Sequence, residues 1–256
     1  MNPTFHGKVV LVTGSGRGFG AVLARSFAEQ GADVIVHYNR SADGANEVAA
    51  EVRSRGRRAH VVHGDIASLE QVRALVASSY EAMGRVDVLI NNVGDMALDQ
   101  TSWRELDEAV IDHTLAVDIK GTMFMMHEVG SRMIEGDGGS IVNIGSQVVI
   151  AGSPRAPQYA AAKYGVIGLT KSYARALAPK VRVNTLGAAF METEALKNRH
   201  DWKNGRREEI LRQTPLGRIA APEDMVGPTM FLAAEASRHM TGQFLLCNGG
   251  LAMVGA

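Results

Sequence analysis

The sequence predicts an α/β protein of the doubly wound, Rossmann type: a single domain, about seven parallel strands, helices on both faces. Three observations carry that expectation. Short apolar runs rich in β-branched residues recur along the chain and alternate with helical patterns, as strands buried on both faces of a parallel sheet do. The first run, Lys8 to Thr13, passes straight into a glycine-rich turn that opens a helix. The residues with chemical potential follow strands, on the carboxyl edge where such sheets bind ligands.

Composition sets the bounds. At 256 residues and 46% hydrophobic content the chain can build one large core, and it shows no repeat, low-complexity tract or linker. A formal net charge of zero argues against nucleic-acid and anionic-membrane partners. The one cysteine, Cys247, excludes an internal disulfide framework, suits a reducing compartment and reads as a small buried apolar residue. No apolar run reaches the ~18 residues of a membrane helix, and a core strand beginning by Lys8 leaves no room for a signal peptide. A cytoplasmic protein is the expectation.

The turn after the first strand holds Thr13, Gly14, Ser15, Arg17, Gly18, Phe19 and Gly20. Its spacing is T-G-x-x-x-G-x-G, not the G-x-G-x-x-G fingerprint. Glycines without Cβ atoms let a pyrophosphate approach the backbone at a helix N-terminus. The helix runs from Ala21 to Gln30 and stops at Gly31. The second strand, Asp33 to Tyr38, ends in Asn39, Arg40 and Ser41, with no carboxylate before Asp43. An acidic residue there would hold a ribose 2′-OH. Arg40, with Arg17, suits a 2′-phosphate instead, which favours NADP(H) and leaves NAD(H) as the alternative if both arginines are plain surface residues.

A helix follows over Ser41 to Arg55, and Arg53, Arg55, Arg57 and Arg58 make an exposed basic cap at its end. The third strand, Ala59 to His63, leads to Asp65, which either meets an adenine amino group or caps the next helix, Ser68 to Met83. The fourth, Val86 to Ile90, leads to Asn91 and Asn92, amides suited to tying loops together. A long helix is expected over Trp103 to Ile134, with Met123, Met125, Met126 and Met133 as core filler. The fifth strand, Ser140 to Ile144, brings Ser146 to its tip.

A loop broken by Gly152, Pro154 and Pro157 gives way to a helix from about Gln158 that carries Tyr159 and Lys163 four residues apart, on one face. Alone, that pair is an ordinary amphipathic one; beside a nucleotide turn it has a purpose. Free tyrosine ionises near pH ~10, and a neighbouring cation favours the phenolate. A phenol so tuned exchanges a proton with a substrate oxygen near neutral pH, and Ser146 can hydrogen-bond the same oxygen as charge develops on it. The sixth strand is Val181 to Leu186. The stretch 190–213, long and mostly polar, is a candidate lid. Pro222 opens a helix to about Ala234, and Gly242 to Cys247 is the last strand. His60 and His63 show no metal spacing, and no histidine pairs with Ser146 for acyl transfer.

Together Thr13-Gly14-x-x-x-Gly18-x-Gly20, Asn91-Asn92-x-Gly94, Ser146 and Tyr159-x-x-x-Lys163 resemble the short-chain dehydrogenase/reductase family in its single-domain form, over essentially the whole chain. The resemblance implies that Tyr159 is the proton donor or acceptor for a carbinol or carbonyl oxygen, that Lys163 tunes it and bonds the nicotinamide ribose, and that Ser146 positions the carbonyl. It places Asp65 and Ile66 on the adenine side, Asn92 on the ribose side with Gly94 also among the cofactor contacts, Met191 and Thr193 at the carboxamide, and implies a homotetramer built on the long helices. Four positions depart from the family pattern: Val93 for alanine, Asp118 for the asparagine that helps hold a proton-relay water, Ala188-Ala189 for Pro-Gly, and Asn248 for aspartate.

The expected activity is NADPH-dependent reduction of a ketone to a secondary alcohol, closest in overall look to 3-oxoacyl thioester and ketone reductases. The alternatives are NAD-dependent alcohol oxidation and a catalytically silent cofactor-binding protein. The partner is a small carbonyl or alcohol, in a pocket walled by the loops after Asn92 and Ser146 and by the lid. The lid cations Lys197, Arg199, Lys203, Arg206 and Arg207 are offset by Glu192, Glu194, Asp201, Glu208 and Glu209, so a solvated face is favoured over an acyl-carrier dock.

Overall fold

The computed structural model describes residues 5–94 and 102–253. From the amino end come β1 (Val9–Val12), α1 (Gly18–Glu29), β2 (Asp33–Tyr38), α2 (Ala42–Ser54), β3 (Ala59–His63), α3 (Leu69–Met83) and β4 (Val88–Asn91). The second half holds α4 (Glu108–Leu115), α5 (Thr122–Glu135), β5 (Gly139–Ser146), α6 (Val148–Ala151), α7 (Pro157–Ala176), β6 (Val181–Ala188), α8 (Glu194–Lys197), α9 (Arg207–Gln213), α10 (Val226–Ala233) and β7 (Phe244–Cys247). The strands form one parallel sheet in the order β3-β2-β1-β4-β5-β6-β7. The chain starts in the middle, winds out to β3, then crosses back to β4. Between β1 and β4 the winding reverses, and that switch opens a crevice at the strands' carboxyl ends.

The apolar strand runs are explained by the two layers they serve. Val10, Val12, Val34, Val36 and Ile90 pack under α1, α2 and α10, while Val9, Leu11, Ile35 and Leu89 pack under α3 and α5. Successive side chains point to opposite faces, so a strand covered on both sides must be apolar throughout. The strands β2 and β3 match the expected bounds. The strands β5 and β6 run two residues further at their carboxyl ends than expected, because Gly145 pairs with Gly187 and Ser146 with Ala188.

Three expectations need correction. The helix expected over Trp103 to Ile134 is broken: Asp107 caps α4 by accepting from Val110 N–H at 2.8 Å, and a π-helical turn, Ala116–Gly121, joins α4 to α5. Met123 is not core filler. It falls off the i, i+3, i+4, i+7 stripe of Thr122, Met125, Met126 and Val129 and is 37% exposed. Cys247 is only half-buried, because β7 is an edge strand. The candidate lid, residues 190–213, shares a small core with residues beyond it. Leu196, Trp202, Ile210 and Ile219 are buried together against Phe190, and the chain kinks at Asn204 and Gly205.

A buried polar chain fastens α7 to the sheet. Asn91 Nδ2 donates to Asn143 Oδ1, and Asn143 Nδ2 donates to Thr170 Oγ1, each at 2.8 Å. The Thr170 hydroxyl donates to Val166 O, so in its 2.6 Å contact with Thr185 the Thr185 hydroxyl is the donor. One chain of bonds thus spans β4, β5, α7 and β6. Replacing Asn143 by Ala orphans the Asn91 amide and removes a donor from Thr170, a loss of about 2–3 kcal/mol. Equilibrium urea unfolding should show the lower midpoint; an unchanged midpoint would mean that this chain of bonds does not hold the helix.

Candidate active site

The first strand end builds a turn of positive-φ glycines, Gly14 at +64° and Gly18 at +55°. Thr13 anchors it. Its Oγ1 accepts from Asn92 N–H (2.9 Å) and Val93 N–H (3.1 Å), while Asn92 Nδ2 donates to Thr13 O at 2.9 Å. Asn92 is therefore a tie between loops, as its amide suggested. Close approach explains the glycines better than freedom alone. A Cβ on Gly20 would lie 2.4 Å from Gly14 O, and one on Gly16 would lie 2.8 Å from Ser41 O. Ser15 is buried and donates to Val12 O; Phe19 joins the core. At Gly18 a Cβ would meet nothing within 4 Å, and α1 opens there with no acidic residue in its first turn and no side-chain cap. An open glycine face on uncapped helix amides fits a phosphate.

The segment Asn39 to Ser41 lies against this turn, with Asn39 and Arg40 exposed. Arg25, Arg55 and Arg58 pair with Glu51, Glu29 and Asp33. Arg17 and Arg40, both exposed, form no such pair among the described residues. Asp65 is not a helix cap: Ser68 caps α3, and Asp65 Oδ1 accepts from Ala67 N–H at 2.9 Å within its own turn. Ile66 beside it is buried against Gly121. Across the sheet Met191 pairs with Ala220, and Thr193 caps α8 through Leu196 N–H.

Ser146 is the last residue of β5, nearly buried, and its Oγ accepts from Val148 N–H at 3.3 Å. Tyr159 and Lys163 occupy the first two turns of α7, where Pro157 starts the helix. The Lys163 ammonium lies 5.5 Å from the centroid of the Tyr159 ring and donates to Ile144 O at 3.3 Å. It also meets the Asp118 carboxylate at 2.5 Å, with both groups buried. The π-helical turn is what carries Asp118 inward, a placement the sequence spacing did not show. Gly94 closes over the pair, since a Cβ there would lie 2.8 Å from Lys163 Nζ and 3.0 Å from Asp118 Oδ1. Of the wall expected after Asn92, residues 95–101 lie outside the described residues.

The other departures are accommodated locally. Val93 packs against Gly14, Ala188 pairs with Ser146, and Asn248 closes its own turn through Gly250 N–H and Ala252 O. Among the described residues no His, Cys, Asp or Glu cluster could hold a metal.

One residue escaped the sequence reading. His37, near the carboxyl end of β2 and between β1 and β3, is buried; its Nδ1 accepts from Gly14 N–H and its Nε2 faces Gly64 O, both at 2.9 Å. Burial is the main cause that pushes its pKa down to about 4. The signal was the run Asp33-Val34-Ile35-Val36-His37-Tyr38, where a lone imidazole among buried β-branched residues must find partners for both nitrogens.

The family described as short chain dehydrogenase matches residues 8–204. The chain is 35% identical over 249 residues to an L-rhamnose 1-dehydrogenase (NAD(P)(+)) of Sphingomonas sp. (strain SKA58), covering 96% of each protein. It is 33% identical to the 3-oxoacyl-[acyl-carrier-protein] reductase FabG of Staphylococcus aureus, covering 96% of this chain and 98% of that one. A crystal structure of a gluconate 5-dehydrogenase from Burkholderia cenocepacia J2315, in complex with NADP and tartrate, superposes with a TM-score of 0.88 at 30% identity, over 97% of this chain and 96% of that one. With the site residues gathered at one sheet edge and this match over most of its length, the chain belongs to the short-chain dehydrogenase/reductase family and is an oxidoreductase of the carbonyl–alcohol class.

Proposed function

We propose that this protein reduces a ketone on a small organic molecule to a secondary alcohol, with NADPH as the favoured coenzyme. The observation that carries this reading is Tyr159 one helical turn from a buried ammonium, at the edge where the glycine turn also lies. Thr13 to Gly20, Asn39 to Ser41, Asp65, Ile66, Asn92, Gly94, Met191 and Thr193 would hold the dinucleotide, which when bound supplies or accepts the hydride. Tyr159 gives its phenolic proton to the carbonyl oxygen. The Ser146 hydroxyl, accepting from Val148 N–H, keeps its own hydrogen to donate to the same oxygen. Lys163 bonds the ribose and favours the phenolate, so the phenol is readily reprotonated from solvent. Residues 190–213 act as lid, with Leu196, Trp202 and Ile210 packed on Ile219 beyond the segment's end.

A second reading is oxidation of a carbinol in a sugar or sugar acid, favoured by the names of the rhamnose and gluconate relatives. Both readings use the same residues in opposite directions. A cytoplasmic location belongs to the proposal; among the described residues no helix is long and apolar enough to cross a membrane. Exposed Met123, Ile134 and Tyr164 on α5 and α7 support a homotetramer closed over those helices.

Tyr159→Phe should abolish nearly all turnover of a ketone panel, followed by NADPH absorbance, yet bind NADPH as the wild type does; retained turnover refutes the assignment. Arg40→Asp should reverse the coenzyme preference by removing the partner of a 2′-phosphate and repelling it. Titrating NADPH and NADH into both proteins decides the point, and an unchanged ratio removes the argument for NADPH. Asp118→Asn keeps the shape but deletes a charge that offsets Lys163. The rising limb of the oxidation rate against pH should then move to lower pH. A limb that stays put, or moves up, shows that the carboxylate is not felt at Tyr159.

A further inference from the structure

We infer that His37 is a positioning residue for the coenzyme: its imidazole holds the glycine turn, and the loop after β3, in the shape that receives a dinucleotide. The inference rests on the dinucleotide reading of that turn. A buried histidine in a sheet commonly ties its own strands together, but here every partner lies in a loop at the carboxyl edge. Its Nδ1 takes the N–H of Gly14, the first glycine of the turn. Its Nε2 meets Gly64 O, next to Asp65. Its backbone is bonded to Ser15 twice, Ser15 N–H donating to His37 O at 2.8 Å and His37 N–H donating to Ser15 Oγ at 3.1 Å. One residue thus gathers the loops after β1 and β3 from the strand between them.

The chemistry allows one state only. A carbonyl can only accept, so Nε2 carries the hydrogen, and Nδ1 must be bare to accept from Gly14. An imidazolium would aim a second N–H at the Gly14 N–H and break the contact. The charged groups facing it are His63 on β3, which opposes protonation, and Asp65, which favours it. Burial dominates and holds the folded value at about 4, below the ordinary 6.5. The folded state therefore binds fewer protons than the unfolded chain between those values. Its stability is full above pH 6.5 and is lost as the pH falls through about 4. The turn should stay formed at neutral pH and loosen only in acid.

Three substitutions separate positioning from mere packing. In His37→Asn the amide oxygen falls where Nδ1 was and can still accept from Gly14. In His37→Gln the longer amide reaches toward Gly64 but leaves Gly14 without an acceptor. His37→Phe supplies neither. Calorimetric titration with NADP+ at pH 7.5, alongside thermal unfolding, should show affinity within about threefold of wild type for His37→Asn and weakened by about tenfold or more for the other two, the size of one lost hydrogen bond. Catalytic rate at saturating coenzyme should stay near wild type in all three. Should His37→Phe fail to fold, the Asn and Gln pair still decides. Equal affinity in the Asn and Gln proteins, whether retained or lost, overturns the inference. A wild type that binds no NADP+ overturns the dinucleotide reading itself. As a second readout, the thermal midpoint of the wild type should fall more steeply between pH 6.5 and 4.5 than that of His37→Asn, which has no imidazole to protonate; equal slopes count against the inference.

Discussion

A parallel sheet covered on both faces leaves the chain few places for chemistry. Its faces are sealed by helices, and its amino edge receives the returning connections. Only the carboxyl ends of the strands open outward, and they open widest where β1 and β4 part. Every feature of the candidate site obeys that restriction. Gly14, Asn39, Asp65, Asn92, Ser146 and Met191 each end or follow a different strand, from β1 through to β6. Residues scattered over nearly two hundred positions meet because the sheet has one usable edge.

Within that edge the structure spends most of its polar bonds on fastening loops to one another. Thr13, Asn92, Ser15 and His37 shape the glycine turn, while Asn91, Asn143, Thr170 and Thr185 seat α7. The residues we propose to react sit on these supports. Lys163 is the exception, because in that proposal it is support and chemistry at once. An ammonium out of water needs a counter-charge, and Asp118 supplies it, with the Gly94 backbone laid across the top. Where an asparagine would leave the ammonium its full influence, this chain holds a neutralised pair beside the phenol.

Much of this was legible in the residues. The runs Asp33 to Tyr38 and Ala59 to His63 gave their strands to the residue, since β-branched runs bounded by turn residues have few other uses. The glycine spacing and the Tyr159–Lys163 interval pointed to the candidate site, because both are local patterns. What stayed hidden depends on contacts between distant segments. That Asp118 faces Lys163 follows from a widened helical turn, and one-residue changes in helical phase leave no compositional trace. That Asp65 yields its capping position to Ser68 is a choice between two good caps three residues apart. The role of His37 was open to inspection and lost among seven other histidines.

The widened turn at Ala116–Gly121 also bears on how such a site can change over time. It amounts to one extra residue lodged in an otherwise regular spiral. Deleting it would rotate α4 relative to α5 by about 100°, swinging the carboxylate out of the interior and stranding the ammonium. No gradual drift connects the two arrangements, so descendants either inherit the insertion whole or rebuild the counter-ion elsewhere.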